Sequence, residues 1–367
     1  MSRPPLLVIA AGGTGGHMFP AQALAEEMLA RGWRVRLSTD PRGARYAGGF
    51  PEAVERGVTS SGTFAQGSPI SRATTPFTVA AGIAKTVMAM RRDRPACVAG
   101  FGGYPALPAT AAATFLRIPR LIHEQNGVLG RVNRIFAPRV DRVACGVWPT
   151  ALPKESKGEF VGNPVRASVL AQAGATYLCP ETGPIEILVM GGSQGAGSFA
   201  RLVPPALEQI PDALRQRLRL SQQVRPEDMD RVRAVYDGLG LDADLRGFFD
   251  DVPERLARAS LVISRAGAGS ISDITVVGRP AILIPYPSAA DDHQAANAAG
   301  LVEAGGAFMI REEELTPEGL AGHITAILSD PEGASAMAAA SHAHGRPEAT
   351  QHLAGLVEEL AQQGRAE

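Results

Sequence analysis

The chain has 367 residues, of which 45% are hydrophobic and 20% charged, and its formal net charge is −1. This describes a globular protein, favours two domains over one, and excludes a globally basic nucleic-acid-binding protein. Three scattered cysteines without a CxxC pair favour reduced thiols over a disulfide framework or a zinc site.

The first predicted unit is a strand, a glycine-rich loop and a helix. The apolar run Leu6–Ala11 predicts a buried strand. It leads into Gly12–Gly16 and His17, and helical spacing of apolar residues begins at Pro20. Trp33–Thr39 predicts the next strand, so the segment is a β-α-β unit with parallel strands.

The second half of the chain repeats this beginning. Ile185–Met190 predicts a strand that leads into Gly191–Gly195, and Leu261–Ser264 leads into another glycine-rich turn. A doubly wound parallel sheet therefore starts twice, and turn residues near Gly162 predict the join. The expected domains are residues 1–162 and 163–346. Apolar residues at helical spacing predict a helix in residues 347–363. This last helix could return to pack on the first domain.

The glycine loops point to an anionic ligand. Parallel sheets bind ligands beyond the carboxyl ends of their strands, where glycine lets backbone N–H groups approach a phosphate. One such loop alone is better explained by a tight strand-to-helix turn, but two loops at matching places in the two halves favour a ligand cleft. The dinucleotide fingerprint and the Gly-Lys of a Walker A loop are both absent from the sequence, which disfavours NAD chemistry and ATP hydrolysis.

Positive charge is concentrated in residues 70–142. This window holds eleven basic and three acidic residues, so its net charge is +8 and the rest of the chain carries −9. The asymmetry favours an anionic surface or ligand, although each arginine alone could lie on a solvated helix face. Apolar residues that could form a patch beside these charges, about half of them expected to be core, are Ile70, Phe77, Val79, Ile83, Val87 and Met88.

Short motifs spread over nearly the whole chain carry the most specific signal. In chain order they are Gly12–His17, Gly102-Gly103-Tyr104, His123–Asn126, Gly162–Arg166, Gly192–Gly195, Ser264–Ala268, and Asp292-His293-Gln294 with Asn297. Together they resemble the MurG family of peptidoglycan N-acetylglucosaminyltransferases. The resemblance implies an α/β architecture of the GT-B type, in which two Rossmann-like, doubly wound parallel-sheet domains face a central cleft.

The resemblance also implies an activity. The family moves GlcNAc, with inversion, from UDP-GlcNAc to the MurNAc 4-hydroxyl of undecaprenyl-pyrophosphoryl-MurNAc-pentapeptide (lipid I). The product is lipid II, a precursor for cell-wall synthesis during growth and division, and no metal or cofactor is implied. The expected partners are UDP-GlcNAc, lipid I, an anionic membrane surface and cell-wall assembly proteins, at the cytoplasmic face of the inner membrane, as a peripheral protein.

The matching motifs carry over a set of donor contacts. These are Thr14, Gly15, Gly16, Asn126, Arg166, Ser193, Phe249, Ala268, Gly269, Ser270, Ile271, Ser272, Asp273 and Gln294. The backbone of Phe249 is expected at the uracil and Gln294 at the GlcNAc hydroxyls. Asp273 stands where the family usually has glutamate, and Ala295 where it often has a second glutamine.

Three residues are candidates for the acceptor chemistry. His17 is the first candidate for the base, because histidine titrates near neutral pH. A hydrogen-bonding histidine at a helix start explains His17 equally well. Glu124 is the rival base, unless it forms an ion pair with a nearby arginine. Tyr104 is expected to position the acceptor rather than to transfer a proton.

Two other functions stay open on the sequence. UDP-GlcNAc 2-epimerases share the two-domain architecture and act on the donor alone, so they need no basic membrane-facing surface. A non-catalytic UDP-sugar-binding module of a cell-wall assembly is the third hypothesis. The full set of predicted ligand contacts argues against a non-catalytic module.

Overall fold

The computed structural model describes residues 3–12, 15–40, 47–58, 69–191 and 197–366, with the backbone alone at 58, 69–76 and 365–366. The chain divides into two compact units. Unit 1 is residues 1–166 with 347–367, and unit 2 is residues 167–346. Thr14 and Ser193, both predicted donor contacts, lie outside the described residues.

Unit 1 is a parallel sheet covered by helices. Its strands are β1 (Leu6–Ala10), β2 (Arg34–Thr39), β3 (Glu55–Val58), β4 (Cys97–Gly100), β5 (Arg120–Glu124), β6 (Arg142–Cys145) and β7 (Gly158–Phe160). Its helices are α1 (Gly15–Ala30), α2 (Pro69–Arg92), α3 (Gly103–Phe115), α4 (Arg131–Phe136) and, after unit 2, α14 (Ala349–Ala366). The strand order is β3-β2-β1-β4-β5-β6-β7, so the winding reverses between β1 and β4.

Unit 2 repeats this topology. Its strands are β8 (Ile185–Met190), β9 (Leu218–Gln223), β10 (Asp242–Arg246), β11 (Leu261–Ser264), β12 (Ala281–Leu283) and β13 (Ala307–Met309), in the order β10-β9-β8-β11-β12-β13. Its helices are α5 (Ala167–Leu170), α6 (Gly197–Glu208), α7 (Asp212–Arg215), α8 (Met229–Gly238), α9 (Val252–Arg258), α10 (Ala268–Val277), α11 (His293–Glu303), α12 (Pro317–Leu328) and α13 (Pro331–His344). Two doubly wound parallel sheets confirm the predicted fold class.

The first helix begins earlier than the sequence predicts. It starts at Gly15 rather than at Pro20, so His17 lies in its first turn and not in a loop. Glycine and proline are poor helix formers, and local propensity therefore argued for a later start. Burial of the Met18 and Ala21 side chains in the core of unit 1 outweighs that preference.

The C-terminal helix α14 belongs to the core of unit 1. Leu353, Val357 and Leu360 on one of its faces are at most 3% exposed, and they join the apolar cluster built on α1 and the sheet. Gln351, two residues before Leu353 and therefore on the opposite face, is exposed. The amphipathic spacing read from the sequence thus marks the buried side of this helix.

Helix α2 presents an apolar stripe to solvent. Phe77 and Met88 are 78% and 56% exposed, and Ala81 and Ala84 between them are exposed as well. Thr86 on the opposite side is buried, so the stripe is the outer face. Among the described residues, no helix combines the length and the apolar character needed to cross a bilayer.

We expect Leu353→Ala to lower the free energy of unfolding of the protein by about 2–5 kcal/mol, because it leaves a cavity between α14 and the sheet. Gln351→Ala on the solvent face is the control and should change the value by less than about 0.5 kcal/mol. Equilibrium urea unfolding of the full chain measures both. Equal effects of the two substitutions would contradict the packing of α14 described above.

Candidate active site

The predicted acceptor-side residues of unit 1 meet at one edge of its sheet. His17 follows β1, Tyr104 lies in the first turn of α3 after β4, and Glu124 is the last residue of β5. These three strands are neighbours and parallel, so their carboxyl ends lie side by side. The edge includes the reversal point between β1 and β4, where ligands of such sheets bind.

Two glycines let the backbone after β4 approach His17 closely. Gly102 and Gly103 have φ angles of +84° and +70°, a region that side chains other than glycine rarely adopt. A Cβ atom added at Gly102 would lie 3.3 Å from His17 Nε2 and 3.1 Å from Asn133 Nδ2. The Gly102-Gly103 motif therefore makes room for the imidazole at the sheet edge.

His17 is held as a neutral imidazole. Its side chain is half-buried, and the loss of solvation lowers its pKa, a shift that the negative charge of Glu124 and a hydrogen bond to the backbone of Gly12 partly oppose. One ring nitrogen is thus engaged with the backbone of Gly12. A neutral histidine at pH 7 has the protonation state that a general base needs.

Glu124 is saturated with hydrogen bonds. The backbone N–H and the side-chain amide of Asn126 donate to Oε1, at 3.1 and 3.2 Å. The Gly130 N–H and Asn133 Nδ2 donate to Oε2, at 2.8 and 2.9 Å. The carboxylate is 3% exposed and pins the β5–α4 loop, because a buried charge must be hydrogen-bonded to be tolerated.

Sequence reasoning quoted His123 without assigning it a role. It is 1% exposed, and its Nε2 lies 3.2 Å from the carbonyl oxygen of Gly162. Burial lowers the pKa of His123 to about 4. Asn133, which sequence reasoning missed, also binds the His123 carbonyl, at 3.1 Å. No local pattern in the sequence marks Asn133, since its role depends on where α4 packs.

The other predicted donor contacts of unit 1 lie near the start of α1. A Cβ atom added at Gly16 would lie 3.1 Å from Gln125 Nε2, next to Asn126. Arg166 is half-buried, and its guanidinium lies 5.1 Å from the ring centre of Phe19. Arg166 was expected within the second domain, but it is the last residue of unit 1 before the chain enters unit 2.

In unit 2, Arg265 connects the loops at the carboxyl edge of the sheet. It directly follows β11, is 7% exposed, and pairs with Glu312 after β13. Its Nη2 donates to Ser198 Oγ at 2.8 Å and its Nη1 to the carbonyl oxygens of Ile284 and Pro285. Three segments, which follow β8, β12 and β13, are thereby fixed to the side chain that follows β11.

The predicted donor contacts of unit 2 occupy three places along this edge. Ala268–Asp273 forms the first turns of α10, where the side chains of Ala268 and Ile271 are buried and those of Ser270, Ser272 and Asp273 are half-buried. Gln294 lies in the first turn of α11, and its Oε1 accepts from the Tyr286 N–H at 2.9 Å. Phe249 lies after β10 and is 1% exposed, so a ligand there meets backbone rather than ring.

Both halves of the chain match one glycosyltransferase family. Residues 7–145 match the Glycosyltransferase family 28 N-terminal domain and residues 186–353 the family 28 C-terminal domain. A protein of Rhodopseudomonas palustris named "UDP-N-acetylglucosamine--N-acetylmuramyl-(pentapeptide) pyrophosphoryl-undecaprenol N-acetylglucosamine transferase" is 47% identical over 98% of this chain and 100% of its own. A Paramagnetospirillum magneticum protein of the same name is 46% identical over 97% of both chains.

The chain belongs to the MurG family. The crystal structure of Acinetobacter baumannii MurG superposes with a TM-score of 0.80 at 29% identity, over 97% of this chain and 100% of that one. A UDP-N-acetylglucosamine 2-epimerase has a TM-score of 0.65 at 12% identity, over 100% and 98% of the two chains. That second likeness is one of fold alone. Membership of the MurG family confirms a glycosyltransferase and leaves the epimerase hypothesis without support from sequence.

We expect the protein to lose stability on acidification in part through His123. The unfolded chain binds a proton near pH 6.5 whereas the folded chain binds it near pH 4, so the unfolded state is favoured as pH falls between these values. At pH 5 this contributes about 2 kcal/mol of destabilisation. His123→Gln, whose amide nitrogen takes the place of Nε2 and keeps a donor toward Gly162, should show a correspondingly smaller loss between pH 7 and pH 5 in urea titrations. An unchanged pH dependence would refute the assignment.

Proposed function

We propose that this chain catalyses the inverting transfer of GlcNAc from UDP-GlcNAc to the MurNAc 4-hydroxyl of undecaprenyl-pyrophosphoryl-MurNAc-pentapeptide, which yields lipid II. The observation that carries the proposal is the near-full-length identity to transferases of this name, joined to a neutral histidine at the sheet edge of unit 1. The acceptor oxygen attacks the anomeric carbon as the bond to UDP breaks on the opposite face. The hydroxyl proton passes to a base of the protein.

His17, rather than Glu124, is the base in this proposal. The Glu124 oxygens accept four hydrogen bonds from donors of the following loop and helix α4, and a proton on this carboxylate would break at least one of them. A neutral imidazole is the more basic group, and the adjacent charge of Glu124 stabilises the imidazolium that forms on His17. Glu124 therefore supports the base electrostatically and fixes the loop that carries Asn126.

Unit 2 supplies donor contacts in the same proposal. The N-terminus of α10 carries a partial positive charge suited to the leaving diphosphate, without any metal. Asp273 is proposed at the ribose and Gln294 at the sugar, with its amide N–H groups as donors because its Oε1 accepts from Tyr286. The donor contacts predicted at Gly15, Gly16, Asn126 and Arg166 of unit 1 stay predictions.

Radiolabel transfer from UDP-GlcNAc to a lipid I analogue tests the activity directly. We expect wild-type protein to form the disaccharide product, and the His17→Ala variant to lose roughly 10²–10⁴-fold in kcat with an unchanged Kd for UDP-GlcNAc. The acid limb of the wild-type kcat/KM profile should lie below about pH 6.5, because burial lowers the pKa of His17.

His352→Ala, an exposed histidine on α14, is the matched control and should retain wild-type turnover. Full turnover of His17→Ala would remove this histidine from the base role while leaving the transfer activity in place. Epimer formation from UDP-GlcNAc without acceptor, and no transfer, would overturn the proposed function itself.

Peripheral attachment to the cytoplasmic face of the inner membrane is part of the proposal. The exposed stripe of α2, with Phe77 and Met88, ends near exposed Lys85, Arg91 and Arg92. An apolar patch beside positive charge gives reversible binding to anionic lipids. A UDP-sugar donor and the free thiols of Cys97, Cys145 and Cys179 fit the cytoplasmic side. Contacts with cell-wall assembly proteins stay a prediction.

We expect the double substitution Phe77→Asp with Met88→Asp to weaken binding to phosphatidylglycerol vesicles by at least about tenfold, since both side chains would insert into the lipid interface. Leu178→Asp is the control, because Leu178 is 70% exposed but lies in unit 2. Vesicle co-sedimentation measures the three proteins. Retained binding of the α2 variant would show that this stripe is not the lipid-binding surface.

A further inference from the structure

The segment between β10 and α9 has a surface suited to reading a nucleobase. Gly247, Phe248 and Asp250 are exposed. Among the described residues, the backbone N–H and C=O groups of residues 247–250 make no hydrogen bond to another backbone group. The family resemblance implies a uracil contact with the backbone of Phe249, and uracil offers an N–H between two carbonyl oxygens that can bond to such groups.

The position of this segment fits the base of a nucleotide sugar. A diphosphate is expected at the reversal point between β8 and β11, at the N-terminus of α10. Gln294, proposed at the sugar, follows β12 on one side of that point. Residues 247–250 follow β10 on the other side. The two ends of the donor then lie in opposite directions along the sheet edge.

One buried arginine packs against the segment of residues 247–250. Arg255 in α9 is 8% exposed, and its guanidinium carbon lies 4.0 Å from the ring centre of Phe249. Its Nε donates to Asp251 Oδ1 at 2.8 Å, its Nη1 to Ser221 Oγ at 2.6 Å and its Nη2 to Asp244 Oδ2 at 2.7 Å. The Phe249 ring lies over one face of the Arg255 guanidinium. The three polar partners fix the orientation of the guanidinium plane.

We propose that Arg255 is a positioning residue that sets the affinity for the uracil end of the donor by holding the backbone of residues 247–250 in place; this rests on the proposed function. Arg255 is buried and contacts the side chain of Phe249, so we do not expect it to contact the ligand. Lysine cannot replace it, because an ammonium group has neither the planar face nor the three-way fork of a guanidinium. Most of the effect should therefore appear in donor binding.

Calorimetric titration with UDP and steady-state kinetics test the proposal together. We expect Arg255→Lys to raise the Kd for UDP and the KM for UDP-GlcNAc by about tenfold. The kcat and the KM for the lipid I analogue should stay within about twofold. Asp244→Ala, which keeps the arginine and removes one of its partners, should give a smaller rise in the same two constants, and Asp244→Asn, which removes only the charge of that partner, a smaller rise still. Asp244→Ala replaces Arg255→Lys if that variant does not fold.

Arg279→Lys is the matched control for a purely structural role. Arg279 is 1% exposed and donates to backbone carbonyl oxygens that include those of Leu256 and Ala175. It precedes β12 and so lies at the amino end of the sheet. This variant should lower Tm while leaving the Kd for UDP unchanged.

Two outcomes would overturn the role of Arg255. One is a wild-type Kd for UDP in both Arg255→Lys and Asp244→Ala. The other is a loss of kcat with an unchanged KM for UDP-GlcNAc. Failure of the proposed function is distinguishable from either, because wild-type protein would then bind UDP without transferring GlcNAc, and the UDP titrations would still measure the effect of Arg255.

Discussion

A buried charge lies at the carboxyl edge of each sheet, and a charge removed from water is tolerated only when it is fully hydrogen-bonded. In unit 1 this charge is Glu124, which accepts four hydrogen bonds from the following loop and helix α4. In unit 2 it is Arg265, which binds Ser198, two carbonyl groups and Glu312. The need to satisfy these charges gives irregular loops a single conformation.

This constraint separates the first candidate for the base, His17, from its rival Glu124. Both lie at the carboxyl edge of the unit 1 sheet, where β4 lies between β1 and β5. Because the hydrogen-bonding capacity of the Glu124 carboxylate is used by its four donors, Glu124 can influence the chemistry only through its charge. The imidazole is desolvated and held by Gly12, so it keeps the proton-accepting state. A rigid anion beside a neutral base is a preorganised arrangement for proton transfer.

The proposed membrane surface and the acceptor-side residues share one structural support. Helix α2 packs on α3, and α3 begins with Gly103 and Tyr104 at the sheet edge. A lipid-linked acceptor that enters along the exposed stripe of α2 would thus meet the element that carries Tyr104. Attachment and acceptor positioning would then depend on the same pair of helices rather than on a separate anchor.

The sequence by itself determined the two parallel sheets, because buried strands followed by glycine and amphipathic helices allow few other folds. It also determined the family, through short motifs at strand ends. Tertiary structure alone decided the roles of Asn133 and Arg255 and the start of α1. Each of these depends on packing between different elements: Asn133 reaches Glu124 only when α4 lies on β5, and Arg255 reaches Ser221 only when α9 packs on the sheet. Periodicity records which side of an element is buried, but not which polar groups meet there.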